Sequence, residues 1–133
     1  MLRPGEWISS IRIPLGEYNF IHFEKVSKRK EVDISSVNSA LALQIEDGVI
    51  QKAAVACGGV GPMTLYMPET ARFLLGKKME ERTFLEAAGV IAGEATPMGD
   101  VRGSAEYRRA VMQNLLLKHF LAYEGGGRQR DEK

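Results

Sequence analysis

The chain has 133 residues, 44% hydrophobic and 26% charged, with a formal net charge of +1. That length suits one domain with one core. The charge balance excludes a dedicated nucleic-acid binder, whose cations spread over a whole face, and an acidic disordered chain. Cys57 is the only cysteine, which excludes an internal disulfide and a cysteine-built zinc site. His22 and His119 lie too far apart in sequence for a local metal motif.

The first residues, Met1-Leu2-Arg3-Pro4-Gly5-Glu6, contain no apolar run of the signal-peptide kind. No stretch approaches the roughly 18 apolar residues that a membrane span requires. The expectation is a reduced, cytoplasmic, soluble domain over residues 4–123 with no membrane partner. Residues 124–133 offer almost nothing apolar to bury and are expected to be a disordered tail.

In chain order, Trp7, Ser9, Ile11 and Ile13 alternate and Pro14 stops them, which predicts a first strand. Tyr18 to Val26, rich in aromatics, predicts a second. Asn38 to Ile45 and Val49 to Cys57 flank Glu46-Asp47-Gly48 and predict a hairpin, because pattern and turn chemistry agree. Gly58-Gly59-Val60-Gly61-Pro62 ends the last strand in a loop. Pro68-Glu69 opens a short helix closed by Gly76. Thr83 and Glu86 fit a capping box for a second helix to about Glu94. Ser104 caps a third from Ala105 to about Tyr123, with Met112, Leu115, Leu116, His119 and Phe120 on one stripe. Strands first and helices second give an α+β fold, an antiparallel sheet of about four strands followed by three helices packed on one face.

Three groups of residues have chemical potential, and each also has a plain structural reading. The glycine-rich loop lacks the spacing of known phosphate loops, so a tight turn needing positive φ explains it better. Lys25 to Lys30 is a basic run that can meet phosphates or an acidic partner, or simply be a solvated loop neutralised by Glu31 and Asp33. Asp100 to Arg109 can hold an anion at a helix start. Capping by Ser104 and pairing of Asp100 with an arginine of the next turn account for the same residue types. Cys57 reads as a core thiol and His119 as a satisfied core histidine. No nucleophile with a nearby base emerges, and no catalytic or metal-binding residue is predicted.

Together these segments resemble one family. Pro4-Gly5-Glu6 leads into Arg12-Ile13-Pro14; then come Phe23-Glu24-Lys25-Val26-Ser27-Lys28-Arg29 and Asp33-Ile34-Ser35-Ser36-Val37-Asn38-Ser39-Ala40. Gly58 to Pro62, Leu75-Gly76-Lys77 and Asp100 to Arg109 follow. In that order they resemble the C-terminal domain of the FAD-binding subunit of molybdenum hydroxylases, the xanthine dehydrogenase, carbon monoxide dehydrogenase and aldehyde oxidase group. Bacterial xanthine dehydrogenase FAD subunits are the most similar variant.

The resemblance implies a domain that completes a flavin pocket without being catalytic alone. Electrons pass from molybdenum through two iron–sulfur clusters to FAD and on to NAD or another acceptor. FAD is held mainly by two preceding domains, and molybdopterin and the iron–sulfur clusters sit on partner domains or subunits. Lys25 matches a lysine that contacts FAD near the isoalloxazine, and Ile8 an apolar residue touching the flavin. Val26 to Ser35 matches a mobile segment beside it. A cation there stabilises negative charge on the reduced ring.

A free-standing interaction or dimerisation module that has lost flavin binding is the competing expectation. Nucleic-acid binding through Lys25 to Lys30 is disfavoured by the net charge and the lack of interleaved aromatics. A domain built to pack on a partner is expected to show an apolar patch and to self-associate, with Trp7, Ile8, Phe20 and Lys25 as candidates. Alternation alone leaves open whether Trp7 and Phe20 instead fill the core.

Overall fold

The computed structural model describes residues 3–12 and 16–128. Four strands, β1 (Phe20–Val26), β2 (Val37–Glu46), β3 (Val49–Gly58) and β4 (Leu65–Tyr66), are followed by three helices. The helices are α1 (Pro68–Leu74), α2 (Glu81–Glu94) and α3 (Ala105–Arg128). The sheet is antiparallel in the order β1-β2-β3-β4.

The β2–β3 hairpin forms as its turn chemistry requires. Ile45 pairs with Ile50 and Glu46 with Val49, so Asp47 and Gly48 are the two loop residues. Their φ values of 51° and 73° are the paired positive angles that Asp-Gly favours. The register shifts between Gln44 and Ile45, a bulge that bends the hairpin.

One face of the sheet is covered. Val37, Leu41 and Leu43 of β2 and Val55 and Cys57 of β3 are buried against Leu74, Phe84, Ile91, Met112, Leu116 and Phe120 of the helices. Full burial of each large side chain contributes about 1.5–3 kcal/mol. β1 packs on α3 along the edge, where Tyr123 stands edge-on to Phe20, their rings 5.4 Å apart. Phe20 thus belongs to the core side of the sheet.

The structure corrects three sequence expectations. No strand forms at Trp7 to Arg12, whose residues are exposed and irregular; Ile13 and Pro14 lie outside the described residues. An alternating segment becomes a strand only beside a neighbour, and among the described residues no strand pairs with this one. The fourth strand is instead the two-residue β4. Helix α2 begins at Glu81, before the expected capping box, and its N-cap Glu80 makes no side-chain cap bond. Thr83 is buried in the first turn, and Glu86 pairs with Arg82 at 3.0 Å. Finally, α3 runs on through the expected tail to Arg128; residues 129–133 lie outside the described residues.

Candidate functional site

Strand alternation makes the other face of the sheet a single surface. On β1, Phe20, His22, Glu24 and Val26 turn towards the helices while Ile21, Phe23 and Lys25 turn away. The register lines them up in three rows: Lys25–Asn38–Gly58, Phe23–Ala40–Ala56–Tyr66 and Ile21–Ala42–Ala54. The floor is therefore small residues. Its walls are Phe23, 60% exposed, and Ile21 on one side and Tyr66, 58% exposed, on the other. Adjacent strands lie about 4.8 Å apart, so the alanines and glycine of β2 and β3 give a flat, shallow platform between those walls. No described element covers it.

Lys25 sits at one end of this platform. Its Nζ donates to the Asp33 carbonyl at 2.6 Å, which holds the ammonium beside the loop that joins β1 to β2. Arg29 N donates to Asp33 Oδ2 at 3.0 Å, and Val32 takes a positive φ of 45°. Burial works against the Asp33 carboxylate, yet the Arg29 amide and guanidinium together keep its pKa below the ordinary value. The basic run is thus a loop partly neutralised by its own acid, as its plain reading has it. Lys28 also reaches across, its Nζ donating to the Val101 carbonyl.

Ile8 stands apart from the sheet's strands. It is 65% exposed, next to Trp7 at 85%, in the irregular segment. The structure therefore puts Lys25 on the platform and leaves Ile8 off it. Of the four candidates for an exposed patch, Trp7, Ile8 and Lys25 are exposed while Phe20 packs against the core.

At the platform's polar end lies a cleft of about 420 Å³ lined by Ser35, Asn38, Gly58, Gly59, Met98 and Arg102, among others. Arg108 builds it. This buried guanidinium donates to the carbonyls of Ser36 and Gly59, both at 2.7 Å, and to Asp100. Ser104 caps α3 through the Tyr107 amide at 3.1 Å. The Arg102 amide and the Arg108 guanidinium hold the Asp100 carboxyl below its usual range. The structural reading of Asp100 to Arg109 is the observed one. Gly59 has a φ of +79°, and a Cβ there would collide with the Ser36 carbonyl, so the loop needs glycine at that point.

The sequence missed the platform itself. Its signal was present: the alanines at 40, 42, 54 and 56 share a parity opposite to Leu41, Leu43 and Val55. Cys57 and His119 are core groups as read. Burial pushes the Cys57 thiol up and drives His119 down to about 4. Among the described residues no cluster of three His, Cys, Asp or Glu side chains can hold a metal, and no helix is long and apolar enough to cross a membrane.

The residues fit a flavin. A fused planar ring needs a flat floor without protruding side chains, and its electron-rich edge needs a cation; the alanine rows and Lys25 supply both. The pyrophosphate needs many converging backbone N–H groups, and the loop Gly58 to Gly61 offers too few for it.

Comparison with known proteins agrees with this geometry. The family model of the CO dehydrogenase flavoprotein C-terminal domain matches residues 22–123. The chain is 32% identical over 124 residues to aldehyde oxidase 4 of Cavia porcellus, covering 90% of this chain and 9% of that one. It is 29% identical over 117 residues to the glyceraldehyde dehydrogenase medium chain of Sulfolobus acidocaldarius, covering 87% and 41%. Quinoline 2-oxidoreductase from Pseudomonas putida 86 superposes with a TM-score of 0.77 at 25% identity, over 86% of this chain and 39% of that one. The chain thus spans under half the length of these relatives. A platform without its own pyrophosphate loops, on this fold and with this match, belongs to a part of a flavoprotein: the chain is a member of the CO dehydrogenase flavoprotein C-terminal domain family, the C-terminal domain of the FAD-binding subunit of molybdenum hydroxylases.

Proposed function

We propose that this chain closes the flavin pocket of a xanthine dehydrogenase-type molybdenum hydroxylase, with the pyrophosphate of FAD held by a partner domain. The observation that carries this reading is the open platform of Ala40, Ala42, Ala54 and Ala56 with Lys25 at its end. An alanine-floored, aromatic-walled sheet face leaves apolar surface in water and gains by being covered with something flat. FAD held there would supply electron transfer between iron–sulfur clusters and NAD or another acceptor, with molybdopterin and the clusters on partner subunits. Lys25 is the residue that stabilises negative charge on the reduced ring, and Ile8 meets the flavin from the segment before β1. The lone buried thiol Cys57 is in keeping with a reducing, cytoplasmic setting.

The test replaces the C-terminal domain of the Sulfolobus glyceraldehyde dehydrogenase medium chain with this chain and measures the flavin's reduction potential. Lys25→Ala should lower the potential, because removing a cation destabilises the reduced anion. A potential unchanged by Lys25→Ala overturns the role of Lys25. A chimaera that holds no FAD, while the parent does, overturns the reading as a whole.

A further inference from the structure

Five side chains on four elements form one line under the edge of the sheet, three hydrogen bonds with a carboxylate beside one end. Glu24 Oε1 lies 3.5 Å from His22 Nε2. His22 Nδ1 lies 2.8 Å from His119 Nδ1, the rings edge to face. His119 Nε2 lies 3.0 Å from Ser39 Oγ, and Cys57 Sγ lies 3.6 Å from the same oxygen. Two imidazole nitrogens at that separation have room for one proton between them, never two and never none.

The ends of the line decide where that proton sits. The Glu24 carboxylate 3.5 Å away draws a hydrogen to His22 Nε2 and leaves its Nδ1 bare. His119 Nδ1 must then be the donor, which leaves its Nε2 to accept from the Ser39 hydroxyl. Ser39 oxygen in turn accepts from the Cys57 thiol, which burial keeps protonated. Every polar atom is satisfied in that one order, with both rings neutral and of opposite tautomer.

We infer that this line is an acid-sensitive latch holding β1 against α3. A proton added to His22 Nδ1 faces the N–H of His119. The line has two ways out. It can reverse, so that His119 donates to Ser39 and the buried thiol loses its acceptor, or the rings part. Either way the polar tie between β1 and α3 weakens, because a donor facing a donor in the interior costs far more than an exposed one. The charged and titratable groups around the pair are Glu24 on β1, Lys118 and Tyr123 on α3 and Cys57 on β3, with Ser39 from β2. Lys118 holds Glu24 in place at 2.7 Å and opposes a positive pair of rings. Burial likewise disfavours charge on His119. Since β1 carries Lys25 and leads into the 27–36 loop, releasing it in acid would loosen the platform's cationic end. That consequence rests on the flavin reading; the latch does not.

The experiment is done on the full chain without FAD. Nitrogen-15 spectra of the two imidazoles at pH 7.5 should show His119 protonated at Nδ1 and His22 at Nε2. On lowering the pH to 5, both rings should change in one shared step. Amide exchange in β1, corrected for intrinsic rates, should then speed up at least tenfold more than in β2 and β3. His22→Gln, which bonds without titrating, should abolish that selective loss. Identical tautomers at pH 7.5 overturn the latch, as does β1 protection that falls in step with the rest of the sheet. So does a His22→Gln chain with undiminished acid response. Should His22→Gln not fold, the wild-type spectra and exchange still decide.

Discussion

Arg108 shows how one side chain can organise a site without belonging to its chemistry. It ties Ser36 at the head of β2, Gly59 after β3 and Asp100 before α3 to one buried guanidinium. Removing it leaves the Ser36 and Gly59 carbonyls without their donor, while the Asp100 carboxylate keeps the Arg102 amide. Arg108→Met should therefore lower stability by about 3 kcal/mol, as expected when two buried carbonyls lose a charged donor, and urea melts of the variant measure it. Trp7 makes the opposite case. At 85% exposed it has little to lose, so Trp7→Ser should shift stability by no more than about 0.5 kcal/mol. A loss of several kcal/mol would put Trp7 in a core. His119 links a residue to pH. Its folded pKa of about 4 lies below the ordinary 6.5, so the unfolded chain takes up a proton first as pH falls. The neutral ring's contribution is intact above pH 6.5 and is lost between there and 4. Stability should drop by about 2 kcal/mol from pH 7 to pH 5 on this account. Urea midpoints at the two values check it, and His119→Gln should remove most of the drop.

At the scale of elements, sequence told most where local chemistry and tertiary demand coincide. The Asp47-Gly48 hairpin and the Ser104 cap are short-range bonds that residues within four positions make for themselves, and both stand where the pattern places them. The segment at Trp7 and the start of α2 are decided by distant partners. Alternation at 7–13 describes a willingness to pair, and among the described residues no strand lies beside 7–12. Thr83 and Glu86 satisfy the letter of a capping box, but the bond of Met79 N to the Gly48 carbonyl fixes the chain's path into the helix earlier. The cap of α1 was equally illegible. Met67 offers no side-chain oxygen, and Glu94, 25 residues on from Glu69, reaches back to its amide and that of Thr70 at 2.7 and 2.8 Å. Glu94→Ala should cost about 1–2 kcal/mol, the range for a lost N-cap, and should raise amide exchange in α1 before α3. Equal exchange in the two helices would mean that α1 stands without it.

The described residues form a one-sided sandwich, with helices on one face of the sheet and no described element on the other. Its core was legible because the stripe of α3 and Leu41, Leu43 and Ile45 of β2 are apolar at the right periods. The platform was not, because alanines read as neutral in a hydrophobic pattern and show themselves only once register sets them side by side. A continuous core, with a hairpin turn and an α3 cap that agree with the pattern, predicts cooperative unfolding of the isolated chain. The same geometry predicts feeble binding of FAD by the chain alone, since the pyrophosphate lacks its amides. Calorimetry giving sub-micromolar affinity would mean that no partner domain is needed. The most direct measurement is FAD retention by the chimaera with the Sulfolobus medium chain after gel filtration, with and without Ala40→Glu. That change plants a long anion in the middle of the platform and leaves the helix-facing core untouched. The account predicts that the unmodified chimaera keeps its FAD and that Ala40→Glu loses at least nine-tenths of it while the chain's circular dichroism is unchanged. Full retention in the folded Ala40→Glu chimaera would contradict it.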